Sequence, residues 1–276
     1  MITQEQLNQL LEQTQEIAKE VGAFIRKERQ HFDVEKVEHK GFNDLVSYVD
    51  KEAERQIVEK LGAIFPEAGF ITEEGTSTAQ GEIYNWVIDP LDGTTNFIHG
   101  IPVFAVSIGL MEKDEVIMGV VYEVNRHECF YAMKGGGAFC NDTPIRVSKA
   151  PGLSASLIST GFPYYNFELI DRYLNSMKSL MQKTHGLRRL GSAAVDLCYV
   201  AAGRTEGFFE YNLNSYDVAA GVIIVQEAGG KVTDFSGGGD YIFGRNIVAS
   251  NGCIHDHFLV VLDEFWSDVS LKGNTK

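Results

Sequence analysis

Four β-rich runs follow one another between Tyr84 and Met133 with only turn residues between them: Tyr84 to Ile88, Phe104 to Met111, Val116 to Val124 and Cys129 to Met133. Runs of branched and aromatic residues with no intervening helix predict strands joined by hairpins, hence a largely antiparallel sheet. Such a sheet has two faces to cover, and the sequence on either side supplies helices. Thr3 with Gln6 three residues on reads as a capping box with Ile2 and Leu7 as its staple, and Leu7, Leu10, Leu11, Ile17, Ala18, Val21, Phe24 and Ile25 recur at helical spacing. A second helix is expected from about Asp50 to Phe65, with Ala53, Ile57, Leu61 and Ile64 on its stripe and Pro66 beyond its end.

After Ser148 the pattern alternates. Strands are expected at Ser156 to Thr160, Gly207 to Tyr211, Lys231 to Asp234 and Ile247 to Ser250, and helices from about Asn166 to Lys183, Ser192 to Ala202 and Val218 to Ala228. The expected organisation is an α+β half, 1–147, joined to an α/β half, 148–276, with no repeat or linker between them, so that both share one core.

Hydrophobic residues at 44 % and charged residues at 22 % match a globular domain and exclude disorder. Acids outnumber bases 38 to 24, which weighs against a nucleic-acid or anionic-membrane partner, so neither is expected. An anionic substrate would then need help from a cation. No run approaches the roughly 20 apolar residues that span a bilayer, and the amino terminus lacks a basic-then-apolar leader, which points to a cytoplasmic protein. Cys129, Cys140, Cys198 and Cys253 form no C-x-x-C pair and are expected as reduced thiols.

The chemistry concentrates in Trp86-Val-Ile-Asp89-Pro90-Leu91-Asp92-Gly93-Thr94-Thr95-Asn96-Phe97. A strand delivers Asp89, Pro90 suits the first position of a helical turn, and Asp92 then falls one turn along, on the same side as Asp89. Two carboxylates about 4 Å apart repel by roughly 4 kcal/mol at an effective dielectric of 20, so such a cluster calls for a cation. Hard oxygen ligands favour Mg²⁺. Gly93 and Thr94 offer backbone N–H groups at a helix start, which suit a phosphate oxygen. Taken singly, Asp89-Pro90 and Asp92-Gly93 are ordinary turns, Glu73 is a solvated loop acid, Asp50 and Asp217 are helix N-caps, and Glu210 is a strand-end charge. An aspartyl-phosphate mechanism of the D-x-D-x-T kind is excluded, because Pro90 stands where its nucleophile would be. Gly135, Gly136 and Gly137 lack the third glycine of G-x-G-x-x-G, and no G-K-[S/T] occurs.

These residues resemble the Mg²⁺-dependent, lithium-sensitive inositol monophosphatase family. Its first signature, D-P-[IL]-D-G-T-x-N-F, is matched from Asp89 to Phe97, preceded by the acid pair Glu73-Glu74. Its second, W-D-x-A-A-G, is matched by Tyr216-Asp217-Val218-Ala219-Ala220-Gly221, with Tyr for the usual Trp. Leu190-Gly-Ser-Ala-Ala194 and Gln226-Glu-Ala-Gly-Gly230 extend the similarity along nearly the whole chain.

The resemblance implies a layered αβαβα sandwich of the kind shared with fructose-1,6-bisphosphatase, usually as a homodimer. It also implies two Mg²⁺ per subunit, with a third, weaker ion near Glu73. Glu73, Asp89 and the Leu91 carbonyl would hold one ion, and Asp89, Asp92 and Asp217 the second. Asp50 and Thr94 match the family's activating pair, which with Glu73 would orient and deprotonate the attacking water. The Gly93 and Thr94 amides would hold the phosphate, and Gly191, Ser192, Ala193, Glu210 and Asp217 the polyol side. Lys40 and Asp44 match a metal-proximal loop, one residue shorter here. The family's serine between Thr160 and Asn166 has no counterpart in Gly161-Phe-Pro-Tyr-Tyr165. Arg188 and Arg189 are candidates for a second phosphate or a partner subunit, or are solvated charge. His99 falls outside the ligand set, and His255 and His257 are expected exposed at the start of the last helix.

The expected activity is hydrolysis of a small phosphomonoester, foremost inositol 1-phosphate. Fructose 1,6-bisphosphate, histidinol phosphate and 3′-phosphoadenosine 5′-phosphate are the related substrates, the last disfavoured by Thr95-Asn96. A silent sugar-phosphate or cation sensor is the alternative of another class.

Overall fold

The structure is a computed structural model that describes residues 2–32, 38–41, 44–163 and 167–269; of the side chains of 33–46 nothing is described. Helix α1 (Gln4–Gln30) starts at Thr3, whose side chain and that of Gln6 complete the expected capping box. A short hairpin, β1 (Glu38–Gly41) and β2 (Asp44–Val46), leads to α2 (Tyr48–Ile64).

A seven-stranded sheet follows: β3 (Gly69–Thr72), β4 (Tyr84–Asp92), then, after the short helix α3 (Thr94–His99), β5 (Ala105–Glu112), β6 (Glu115–Glu123), β7 (Glu128–Met133), β8 (Gly137–Cys140) and β9 (Thr143–Pro144). The strands lie in chain order and only β3–β4 is parallel, so the hairpin succession legible in the sequence is the sheet itself.

The rest of the chain builds a second, five-stranded sheet. Its strands are β10 (Leu157–Thr160), β11 (Gly186–Arg188), β12 (Gly207–Tyr211), β13 (Lys231–Thr233) and β14 (Asn246–Ser250), in the order β11-β10-β12-β14-β13. β10 runs parallel to β11 and β12, and β14 antiparallel to its neighbours. Four helices flank it: α4 (Ile170–Lys183), α5 (Ala193–Ala201), α6 (Ser215–Glu227) and α7 (His255–Trp266).

Strand periodicity sorts side chains into layers. In β4, Trp86 and Ile88 enter a core with α1 and α2, whereas Val87 enters one with α5 and α6. In β12, Phe208 faces α5 and α6, and Phe209 faces α4 and α7. The stack is therefore helices, sheet, helices, sheet, helices. α6 lies hard against the first sheet: a Cβ on Gly119 would come within 2.6 Å of the Ala220 carbonyl oxygen, so only glycine permits this approach. Among the described residues no helix is long and apolar enough to cross a membrane.

Several local expectations are corrected. β4 does not stop at Ile88 with a helical turn at Pro90; it runs to Asp92, with a register irregularity against β5 between Asp89 and Asp92. Pairing to β5 keeps the segment extended, and Pro90, which has no N–H to give the ladder, sits in the irregular stretch. Asp50 and Asp217 are not N-caps. Each is the third helical residue of a capping box whose caps are Ser47 and Asn214. α4 begins at Ile170 rather than Asn166. His255 is fully buried rather than exposed, with its ring nitrogens 3.0 Å from Thr233 Oγ1 and 2.8 Å from Ser250 Oγ, while His257 is exposed. Strands β3 and β11 fall where no strand was expected.

Candidate active site

At the end of β4 the chain turns through Gly93 (φ 101°) into α3. Asp89 Oδ1 accepts from the Leu91 amide at 2.9 Å, which folds the carboxyl back over the irregular turn. The Asp92 carboxyl crosses to the other half of the chain. Its Oδ2 accepts from Ser192 Oγ at 2.6 Å and from the Ala194 amide at 2.7 Å, so it caps α5 together with Ser192. Asn96 adds a second tie, donating to the carbonyls of Val103 and Leu190, each at 2.8 Å.

Asp217 arrives on the first turn of α6, with Oδ2 accepting from the Asn214 amide at 2.6 Å. Carboxylate oxygens of Asp89, Asp92 and Asp217 lie within 4.8 Å of one another. Glu73, just beyond β3, stands near Asp89 and adds to the shift of its carboxyl toward the neutral form. Beside them Thr94 Oγ1 donates to Asp50 Oδ1 at 2.8 Å and lies 3.1 Å from the Leu91 carbonyl. Asp50 Oδ2 accepts from the amide and the hydroxyl of Ser47, at 2.9 and 2.6 Å.

A cavity of about 280 Å³ joins these residues. Glu73, Asp89, Leu91, Asp92, Gly93, Thr94, Gly191, Ser192, Ala193, Glu210 and Asp217 all line it; Asp50 stands behind Thr94. The side chains of Lys40 and Asp44 lie outside the described residues. Arg188 is exposed, whereas Arg189 lines the cavity, its guanidinium carbon 5.5 Å from the centre of the Phe162 ring. Asp196, also at the cavity, was not singled out in the sequence. The signal was there: it is an acid inside the otherwise apolar run of α5.

Burial and crowding push the carboxyls of Asp50, Asp89, Asp92, Asp196, Glu210 and Asp217 toward their neutral forms. Burial raises Asp89 well above the ordinary range, and Glu73, Asp92 and Asp217 add to it. Asp92 is pushed up to about 6, chiefly by burial against the pull of Ser192 and the α5 amides. Asp217 reaches about 7 through burial and the charge of Asp92. Glu210 is raised by burial and then by Asp196, and Asp50 by burial against the Ser47 and Thr94 hydrogen bonds. Oxygens at 4.8 Å repel by roughly 3 to 4 kcal/mol at an effective dielectric of 20. A hard divalent cation removes that cost, and an all-oxygen set beside an open cavity fits Mg²⁺, which keeps few protein ligands.

The inositol monophosphatase family profile matches residues 6–266. The chain belongs to the inositol monophosphatase family. Among relatives of this family, the Nus factor SuhB of Escherichia coli is 44 % identical over 235 residues, 85 % of this chain and 88 % of that protein. The extragenic suppressor protein suhB of Bartonella henselae superposes with a TM-score of 0.85 at 41 % identity, covering 90 % of this chain and 96 % of that one. An IMPase of Thermotoga maritima gives 0.84 at 39 %, covering 93 % and 97 %. The five-layered stack is thus the inositol monophosphatase fold, as the signature residues implied.

Proposed function

We propose that this protein is a Mg²⁺-dependent phosphomonoesterase that hydrolyses inositol monophosphate to inositol and phosphate, its two halves, 1–147 and 148–276, acting as one catalytic unit. The observation that carries the proposal is the meeting of Asp89, Asp92 and Asp217 within 4.8 Å, next to the hydrogen-bonded pair Thr94–Asp50. Glu73, Asp89 and the Leu91 carbonyl would hold one ion, and Asp89, Asp92 and Asp217 a second. When bound, Mg²⁺ supplies charge neutralisation of the phosphoryl oxygens and stabilisation of the departing alkoxide.

The chain's own residues do the rest. Thr94 gives its only hydroxyl proton to Asp50, so its oxygen lone pairs are left to accept a proton from an attacking water in the cavity. Asp50, held by Ser47 and raised by burial, is a base able to take that proton on from Thr94. The Gly93 and Thr94 amides receive the phosphate. Across the cavity, Gly191, Ser192, Ala193 and Glu210 face the polyol, whose hydroxyls find carboxyl oxygens there. On this reading the active species is a homodimer in the cytoplasm.

The test is phosphate release from a panel of inositol, sugar, histidinol and nucleotide phosphomonoesters, with Mg²⁺ and with or without Li⁺. Inositol phosphate is expected to lead with Li⁺-sensitive turnover. Silence toward every ester overturns the enzyme and favours a sensor.

The name of the Escherichia coli relative supports a second role beside hydrolysis, as a Nus factor. Replacing that relative in its host by this chain, in wild-type and Asp92→Asn forms, tests it; a chain that fails to substitute in either form lacks the role.

A further inference from the structure

Glu54 is fully buried, yet it belongs to none of the groups assigned above. It sits on α2 one turn beyond Asp50, on the same helix face. Its carboxylate reaches the loop after β3 as a fork. Oε2 accepts from the Glu74 amide at 2.7 Å and Oε1 from the Thr76 amide at 2.8 Å. Among the described residues no Lys, Arg or His forms an ion pair with it. A buried carboxylate is a costly way to tie down a loop, because its desolvation must be offset by those two amides.

The position of the fork gives it a purpose. The Glu74 N–H lies in the same rigid peptide plane as the Cα of Glu73. Fixing that N–H fixes the plane from which the Glu73 side chain departs. The Thr76 contact closes the other side of the turn, where Gly75 adopts a φ of 72°. α2 therefore sets two groups at once: Asp50 directly, and Glu73 through Glu54.

We propose that Glu54 is a positioning residue, whose bidentate grip on the Glu74 and Thr76 amides holds Glu73 at the metal site in register with Asp50. The inference rests on the metal-dependent reading above. Glutamine in this place offers one acceptor and one NH₂ donor, so one of the two amides would face a donor.

The experiment is Mg²⁺ binding by titration calorimetry on the full chain, with hydrogen exchange of segment 73–77 followed in parallel. Glu54→Gln is expected to weaken Mg²⁺ binding about 10- to 100-fold, the range seen when groups that orient metal ligands are removed. Exchange at 73–77 is expected to accelerate, and kcat to recover at saturating Mg²⁺. Glu59→Gln, on the exposed side of the same helix, is expected to change none of these. In a Glu73→Gln background, Glu54→Gln is expected to add no further loss of affinity, because it acts through Glu73.

An unchanged Mg²⁺ affinity in Glu54→Gln, or losses that multiply in the double variant, would overturn the proposal. A fall in thermal stability without a change in affinity would reduce Glu54 to a structural role and overturn it equally. Should Glu54→Gln not fold, Glu54→Asp, which retracts the fork by one methylene, is read by the same criteria. Absence of Mg²⁺ binding by the wild type would strike the functional reading instead; the exchange of 73–77 then decides whether Glu54 holds the loop.

Discussion

The Glu210 carboxylate packs directly onto the Cα of Gly161: a Cβ there would lie 2.0 Å from both of its oxygens. The end of β10 thus makes room for an acid of β12 at the cavity. Gly161→Ala is expected to push the carboxylate aside and to alter substrate ranking in the same direction as Glu210→Gln. Loss of a hydrogen bond is worth about 0.5 to 1.5 kcal/mol, so KM for inositol phosphate should rise roughly two- to tenfold. Steady-state kinetics on inositol phosphate against p-nitrophenyl phosphate checks this, since the generic ester has no polyol to lose. An unchanged ranking in both variants separates Glu210 from the polyol.

Asp92→Asn keeps an oxygen that can accept from Ser192 and Ala194, so the cap of α5 should survive and the thermal midpoint should stay close to that of the wild type. Turnover is expected to fall by about 100-fold or more, the scale of removing one preorganised electrostatic partner. Most activity remaining would take the second ion out of the mechanism.

Mg²⁺ should stabilise the fold more as the pH rises. Asp92 and Asp217, raised to about 6 and about 7, bind more protons folded than unfolded across the window from 3.8 upward, so the metal-free protein loses stability as pH climbs through it. A cation competes with those protons and restores what they supplied. Thermal midpoints with Mg²⁺ and with chelator should differ little at pH 5 and clearly at pH 8; a gap independent of pH contradicts the assignment of these carboxyls.

His255 predicts an opposite trend at a distant site. Burial and then Lys231 depress its imidazole from 6.5 to about 4, so the folded chain holds it neutral between Thr233 and Ser250. Between pH 6.5 and 4 the unfolded chain takes up the proton first, and stability contributed by this residue falls as pH drops through that window. Urea unfolding of the wild type and His255→Gln at pH 7.5 and 4.5 measures it. The gap between the two proteins should be smaller at the lower pH.

The parts legible in the sequence were those written in short-range periodicity. The capping box at Thr3, the hairpin succession from Tyr84 onward and the apolar stripes of α1 and α2 depend on neighbours within a few residues. Signature residues Asp89, Asp92, Thr94 and Asp217 could be named because their order along the chain is distinctive. What local pattern misread was decided by partners far away. Pro90 suits a helical turn in the sequence because nothing nearby announces β5, which keeps the segment extended. Asp50 and Asp217 looked like caps because Ser47 and Asn214 stand three residues ahead of them, just outside the apolar stripes. Nothing in the sequence marks Glu54, since an acid on a helix is ordinarily solvated and only the assembled loop shows it enclosed, whereas the apolar run around Asp196 does announce burial. His255 reads as exposed because its partners Thr233 and Ser250 lie on strands that the local sequence does not bring to it.

The tie from Asp92 to the start of α5 also sets an order of events. Asp89 and Asp92 leave the ribosome more than a hundred residues before Asp217, and the helix that Asp92 caps is made in between. The third acid of the cluster stands on the first turn of α6, so the three carboxyls meet only where that helix packs against the first sheet at Gly119.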